Sequence, residues 1–476
     1  EDEYKVKTAN LYLFPGGTGS SFGSAKLKEI ISINQFTQMT ASTADAKTIV
    51  WTSKKTALTP GDYRIYIVVN GTVNGVTDGS KNSLTEADFL AKTTADATGV
   101  IAAVPEAGLV MASRSPNNDK TNTLPYIAQT ITKDPEQTIA ATVERMMGKI
   151  TVTAGGANVA SAANVYTSFS TTVTAIGNIT NITLKGYYVV NARKEGYYFR
   201  HVDKEGSATS PLTVDNYGNS TTSLPYVVDP KTYSKTYTGA LDGSYADWYL
   251  QGSGAFGLLS FGSFGGTYTA MPGYSSAAAE TKVAAYCYEN TMLKDKQKNG
   301  YTTGIVFKAE IAPSKMMQKK AGSGGVEENS TFTSMSEIFY HSGIFYKDIA
   351  ALKEAGVLLA DGTTSSSVSG APADLKKNDV QCFKKGSADG KFVCYYPYWI
   401  KHIPSDDVAE DVMEFGIVRN NVYKVTVTGI QGVGKDGVTE DIITDTETDD
   451  PTTVLLNVKL SIKPWTVRTN SAVLGR

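Results

Sequence analysis

Near its C-terminus the chain changes face. Val454, Leu456, Val458, Leu460 and Ile462 alternate with polar residues; Pro464 then intervenes, and the apolar set moves to Trp465, Val467 and Val473. Side chains in a strand alternate with a period of two, so a one-residue shift sends every later side chain to the opposite face. One strand therefore ends at Pro464 and a second begins, over about Trp465 to Arg476. Proline cannot donate to a ladder, so it marks an edge or an exit. The second strand has no hairpin partner after it in this sequence. Its sheet lies either in an earlier part of the same chain or in another molecule.

The rest of the chain reads the same way. Val6–Phe14, Tyr63–Val69, Lys149–Thr153, Ile182–Asn191, Gly196–His201, Ile305–Ile311, Phe392–Tyr396 and Val422–Thr428 show alternation or β-branched and aromatic runs. Between them lie clusters of Gly, Ser, Thr, Asn and Asp, the pattern of an all-β, antiparallel β-sandwich protein with long loops. Short helices are expected as insertions: one opened by Thr85 and Asp88 and running through Leu90, one over Lys347–Ala355 ended by Gly356. For 476 residues, two large domains are expected. Pro135 and the fresh strand pattern near Thr142 put their boundary near residue 140, giving domains 1–140 and 141–435. Seven acidic and no basic residues between Asp436 and Asp450 make 436–453 a solvated linker before a strand pair at 454–476.

Composition removes several function classes. With 45 basic and 47 acidic residues, net charge −2, no field draws nucleic acid or anionic lipid. No stretch reaches the ~18 apolar residues of a membrane helix, and Glu1, Asp2 and Glu3 are the opposite of a signal peptide's basic start. That leaves a cytosolic protein or one whose leader has been removed. Three cysteines are too few for a disulfide scaffold; Cys382 and Cys394 could close a loop, and Cys287 reads as a buried small hydrophobe.

Chemistry-bearing patterns are weak. Gly252, Gly254 and Gly257 match the dinucleotide spacing but precede more glycine-rich loop. Gly19, Ser21 and Gly23 match a nucleophile elbow but follow a loop rather than a strand. His201, His341 and His402 lack a second ligand at metal spacing, and Asp441, Asp445 and Glu447 lack the arrangement that folds a loop around Ca²⁺. Tyr187/Tyr188, Tyr197/Tyr198 and Tyr395/Tyr396 would each place one ring in a core and one outside, where sugar could stack. We expect no enzyme, no cofactor and no resident metal.

Three stretches carry a resemblance: Phe392–Trp399 (FVCYYPYW), Val418–Gly434 (VRNNVYKVTVTGIQGVG) and Leu456–Val467 (LNVKLSIKPWTV), with the Arg419-Asn420-Asn421 turn and the Lys463-Pro464-Trp465 step the most specific pieces. Weaker echoes are Lys5–Gly17, Val143–Val152 and Ala285–Ile311, the last with Glu289-Asn290-Thr291 before a long strand. In this order the chain resembles the fimbrillins of Bacteroidales, the type V pilins, and among them the minor-fimbrium shaft type. The resemblance implies two transthyretin-like β-sandwich domains and a lipoprotein precursor exported through the outer membrane to the cell surface. It further implies that an arginine-specific protease removes a first strand, opening a groove in the N-terminal domain that a neighbouring identical subunit's C-terminal strand fills. On that reading Trp465, Val467, Thr469, Ser471 and Val473 are the donor set, Pro464 the switch, and Val6, Leu11 and Leu13 the groove border. The linker departs from the family in being short and acidic rather than long and proline-rich. A monomeric surface lipoprotein or tip adhesin that binds glycan or host protein is the alternative, and a hydrolase using Ser21 a third.

Overall fold

The computed structural model describes residues 2–17, 20–39, 50–94, 104–114, 125–153, 165–166, 178–203, 226–232, 268–272, 274–275, 278–279, 281–293, 296–298, 300–322, 324–403, 413–436, 456–464 and 469–472. Gly252, Gly254, Gly257, Asp441, Asp445 and Glu447 lie outside them. So do Trp465, Val467 and Val473.

The first sheet is built on β1 (Ala9–Pro15), between β2 (Glu29–Ile33) and β5 (Gly61–Val69). Beyond β5 come β6 (Met111–Arg114), β8 (Ile139–Arg145) and β27 (Thr469–Ala472), while β7 (Ile127–Ile131) pairs the first half of β5. Strand β1 is buried on both faces because both of its side-chain sets are apolar. Leu11 and Leu13 join Val6, Ile65, Ile67, Ile139, Ala141 and Val143 in one layer. Tyr12 and Phe14 join Tyr66, Phe89, Phe199 and Tyr286 in the other. The hairpin of β3 (Phe36–Met39) and β4 (Val50–Ser53) covers the first layer through Phe36 and Trp51. The second is closed by α1 (Glu86–Leu90), capped where expected by Thr85, whose Oγ1 accepts from the Asp88 amide at 3.1 Å.

A single residue, Met146, separates β8 from β9 (Met147–Thr153), which belongs to a different sheet. Sheet membership therefore changes six residues beyond position 140. Strand β9 lies between β17 (Thr281–Tyr288) and β25 (Asn421–Ile430), and β26 (Leu456–Pro464) closes the edge on β25. The β9–β25 pair is parallel, a departure from the antiparallel rule expected of the whole chain. Facing this sheet is another of β10 (Val165–Tyr166), β11 (Ile179–Val190), β18 (Gly304–Pro313) and β24 (Phe392–Trp399), with β14 (Thr269–Ala270) beside β11. Ile150, Val152, Val425 and Val427 of one sheet meet Ile182, Leu184, Phe307 and Ile311 of the other, which makes the pair a sandwich.

Two short pairs, β12 (His201–Asp203) with β13 (Tyr226–Val228) and β15 (Tyr274–Ser275) with β16 (Ala278–Ala279), lie outside the main sheets. An inserted unit carries β19 (Met316–Lys319), β20 (Val326–Asn329), β21 (Glu337–His341), β22 (Ile344–Tyr346) and β23 (Gln381–Lys384). It also holds α2 (Ile349–Ala355) and α3 (Pro372–Lys377). Helix α2 ends as expected at Gly356, whose φ of 60° is the left-handed conformation that glycine adopts without a Cβ penalty. None of the helices among the described residues is long and apolar enough to cross a membrane.

Two expectations are corrected. Gly196–His201 is not a strand: Tyr197 makes one isolated bridge to Thr93, and β12 starts only at His201. The cause is that the carbonyls of Tyr197 and Tyr198 are taken by Arg419 instead of a ladder. Nor does either ring of Tyr187/Tyr188 or Tyr395/Tyr396 reach solvent. Tyr187 and Tyr396 enter the sandwich core, while Tyr188 and Tyr395 enter a second apolar cluster with Met292, Tyr301 and Phe415 on the sheet's back. Strand parity was right; the back of the sheet is covered rather than wet.

Candidate functional site

Strand β8 presents an edge for another strand. Ile139, Ala141 and Val143 alternate into the apolar layer of Leu11 and Leu13, while Thr142 and Glu144 take the other face. One side of β8 is occupied by β6, from Met111 opposite Arg145 to Arg114 opposite Thr142. The other side takes β27, antiparallel, with Thr469 opposite Thr142, Asn470 opposite Ala141, Ser471 opposite Ala140 and Ala472 opposite Ile139. Without β27, that side of β8 would be a row of unpaired backbone groups beside an apolar layer, the usual template for strand addition.

The two C-terminal strands thus part company. β26 ends with Pro464 opposite Asn421, where a missing donor costs the edge nothing; β27 goes to the first sheet of the same chain. Of the two destinations that the sequence left open, the strand here takes the earlier part of its own chain. Thr469 and Ser471 stand opposite Thr142 and Ala140, whereas Asn470 and Ala472 stand opposite residues of the apolar layer. Val6, Leu11 and Leu13 belong to that same layer, with β5 and β6 between β1 and the β8 edge.

The hinge between sheets is fastened by charge. Arg419 precedes Asn420, whose φ of 59° turns the chain into β25. Its Nε and Nη2 donate to the two oxygens of Glu289 at 2.8 Å each, Nη1 donates to the Tyr198 carbonyl at 2.9 Å and Nη2 to that of Tyr197 at 2.7 Å. Both side chains are fully buried. Asn420 N–H donates to the Met147 carbonyl at 2.9 Å, which seats the turn on the first residue of β9. Glu3 reaches the same region: Lys149 and the Tyr286 hydroxyl donate to its carboxylate, and Arg145 Nε donates to its carbonyl at 2.9 Å. Burial opposes the charged carboxylate, but those hydrogen bonds outweigh it and hold Glu3 below the usual carboxylate range.

The first sheet has its own buried pair, missed from sequence. Arg64 Nε and Nη2 donate to Glu86 at 2.7 Å each, Tyr66 OH donates at 2.6 Å and the Gly23 amide at 2.8 Å. A lone arginine inside the apolar run Tyr63–Val69 was the available signal, since a charge in a buried strand is retained only with a partner.

The histidines are separate. His201 Nδ1 lies 2.9 Å from the Phe199 carbonyl and its ring stacks 3.7 Å from that of Tyr197; His402 Nδ1 lies 2.9 Å from the Tyr423 hydroxyl. His341 lies between the Asp379 and Leu358 carbonyls. No group of three metal-ligating side chains occurs among the described residues. Ser21 is exposed, and its carbonyl accepts from Ser24 at 3.3 Å. Cys287, Cys382 and Cys394 are free thiols, with Cys287 and Cys394 buried.

Burial lowers His201 to about 3 and His402 to about 4 from an ordinary 6.5. The folded protein keeps both neutral where the unfolded chain protonates, so the unfolded state binds more protons between those values and 6.5. The stabilisation is complete above pH 6.5 and is lost as pH falls, at roughly 1.4 kcal/mol per unit for each histidine. Denaturant midpoints measured from pH 7 to 4 should therefore fall steadily, and His201→Phe should flatten the slope. A flat wild-type profile would contradict this.

The chain is thus an all-β protein in which the last described strand, β27, lies on a different sheet from the strand before it, β26. Residues 390–471, from just before β24 to within β27, match the family model described as major fimbrial subunit protein type IV, fimbrillin, C-terminal. The chain thus carries a fimbrillin C-terminal region. Among solved structures it is similar to a candidate cell adhesion protein from Parabacteroides distasonis, at 14% identity over 97% of this chain and 95% of that one, TM-score 0.38. It is also similar to a fimbrilin from Porphyromonas gingivalis, at 14% identity over 98% and 93%, TM-score 0.36. No curated protein matches in sequence.

Proposed function

We propose that this chain is a structural subunit of a cell-surface fimbria that polymerises by donor-strand exchange and supports adhesion. The observation that carries the reading is the pairing of β27 with β8, across from the sheet in which β26 ends. An edge that accepts a strand from its own chain accepts the same strand from a second copy, because register and ladder are identical. Donor and edge are different patches, so the contact is heterologous and repeats into a filament instead of closing. The acceptor domain, a transthyretin-like sandwich, runs to about Met146 in this reading, and Trp465, Val467, Thr469, Ser471 and Val473 belong to the donor stretch. Leu11 and Leu13 line the layer that the donor closes. Lipoprotein export and trimming by an arginine-specific protease belong to the same reading, and so does a non-enzymatic role.

Mixing two proteins tests it, each with one introduced cysteine in a background where Cys287, Cys382 and Cys394 are replaced by alanine. Residues directly opposite in an antiparallel pair have Cβ atoms about 4.5–5.5 Å apart, close enough for a disulfide after small adjustment. Ala140→Cys mixed with Ser471→Cys can bridge only between molecules, and each variant alone is the control. Oxidised heterodimers are the expected result. A mixture that stays monomeric, while the double variant closes within one chain, sinks the reading.

A further inference from the structure

The apolar layer on one face of the first sheet runs out to both of its edges. At one edge Ile139, Ala141 and Val143 of β8 turn into that layer, with β27 beyond them. At the other lies β2, paired with β1 on one side and with no strand beyond it among the described residues. Residues directly opposite in an antiparallel pair share a face, and Leu13, Leu11 and Ala9 stand opposite Glu29, Ile31 and Ile33. Ile31 and Ile33 pack in the layer, so Glu29, two residues earlier, turns the same way. Its Oε2 is buried without a hydrogen-bond partner among the described residues. Tyr63, buried in the same layer, has its hydroxyl pushed up first by burial and then by the charge of Glu29. A carboxylate oxygen buried without a partner costs stability, and a valine at this position would simply continue the apolar set of Ile31 and Ile33.

We propose that Glu29 is a guard on the β2 edge, an inward charge that stops a second copy of this chain from adding its own β2 there and so leaves strand addition to the β8 edge. The consequence for β8 rests on the strand-exchange reading; the guard itself does not. The strand it refuses is identified by β2. Glu29–Ile33 (EIISI) carries isoleucine on both faces. Two copies laid antiparallel about Ile31 set Ile30 opposite Ser32 and Ile33 opposite residue 29, a self-complementary contact. With an apolar residue at 29, the layer would run unbroken from one molecule into the next. With glutamate there, each copy would lay a strand over the other's carboxylate, which is now only partly exposed, and strip water from a charge that gains no partner. Inward-pointing charges are one of the means by which natural sheets keep their edges from pairing. The inward residues of β8 are all apolar, so the two edges of one sheet differ in what they admit. A sheet guarded at one edge and open at the other takes a strand from one direction, which keeps subunits from joining side to side.

Hydrogen exchange of the β2 amides in the full-length protein, at low and high protein concentration, tests the guard. Glu29→Val should self-associate and slow exchange at Ile30–Ile33 by roughly tenfold or more at high concentration, with no such dependence in the wild type. Glu29→Gln keeps the shape and loses the charge, and should shift in the same direction by a smaller factor. Glu29→Lys, which restores an inward charge of the other sign, should behave as the wild type. If Glu29→Val misfolds, Glu29→Gln decides. Exchange at β2 that is independent of concentration in every folded neutral variant overturns the guard, and so does association that protects other amides but not those of β2. Association of Glu29→Lys as strong as that of Glu29→Val also overturns it, since charge would not then be what keeps the edge apart. The mixed cysteine variants report on β8 separately: if they fail to cross-link while the neutral variants pair through β2, the guard stands and the strand-exchange reading falls.

Discussion

Arg419→Ala is expected to destabilise the folded chain by roughly 3–5 kcal/mol, because it removes one partner of a fully buried ion pair and leaves the other charged. Glu289 would lose both of its bonds from the guanidinium, and the carbonyls of Tyr197 and Tyr198 would lose their donor. No water can replace a planar fork that serves three separate groups. Arg419→Lys keeps the charge but cannot reproduce the bidentate geometry, so it should recover only part of the loss. Replacing the pair together, Arg419→Met with Glu289→Leu, should cost much less than Arg419→Ala alone, since an apolar pair leaves no charge stranded. Urea unfolding of the four proteins checks this. A single-variant loss below about 1 kcal/mol would mean that the pair is not buried in solution.

The second large effect lies in the other half of the chain. Glu86 is 0% exposed and accepts from Arg64, Tyr66 and Gly23. Glu86→Ala should cost about 3–5 kcal/mol on the same physical ground, with the loss seen first in hydrogen exchange of α1 and β5. Glu86→Gln keeps the shape and part of the bonding and should cost less. Unlike the Arg419 variant, this one should leave the β9–β25 pair protected until the whole chain unfolds. Loss of protection spread equally through both halves would show instead that the chain unfolds as one unit.

Much of the β framework is legible because it rests on local alternation. Tyr63–Val69 and Val422–Thr428 fall inside β5 and β25, and the Pro464 switch coincides with the last residue of β26. Helix α3 was not foreseen, although Pro372 at its first turn and Lys376 and Lys377 in its last were the signals. What cannot be read locally is which partner a strand takes. Nothing near Ile139–Arg145 says that its free side will receive residues more than 300 positions later, and the parallel pairing of β9 with β25 joins segments about 270 positions apart. The tyrosine pairs failed for a related reason: parity shows that two rings part, while the cover over each face comes from elsewhere in the chain. The Arg419-Asn420-Asn421 turn was visible as a pattern, but its meaning came from Glu289.

The one-residue passage from β8 through Met146 to β9 has a mechanical consequence in a filament. A pull on an inserted strand would load the β27–β8 ladder lengthwise, so that its bonds resist together rather than opening one at a time. The load would then enter β9 with no loop to pay out, pass sideways to β25 through their parallel pairing, and leave by β26 toward the next junction. Tension would thus travel along consecutive strands, bypassing the inserted unit at 316–384.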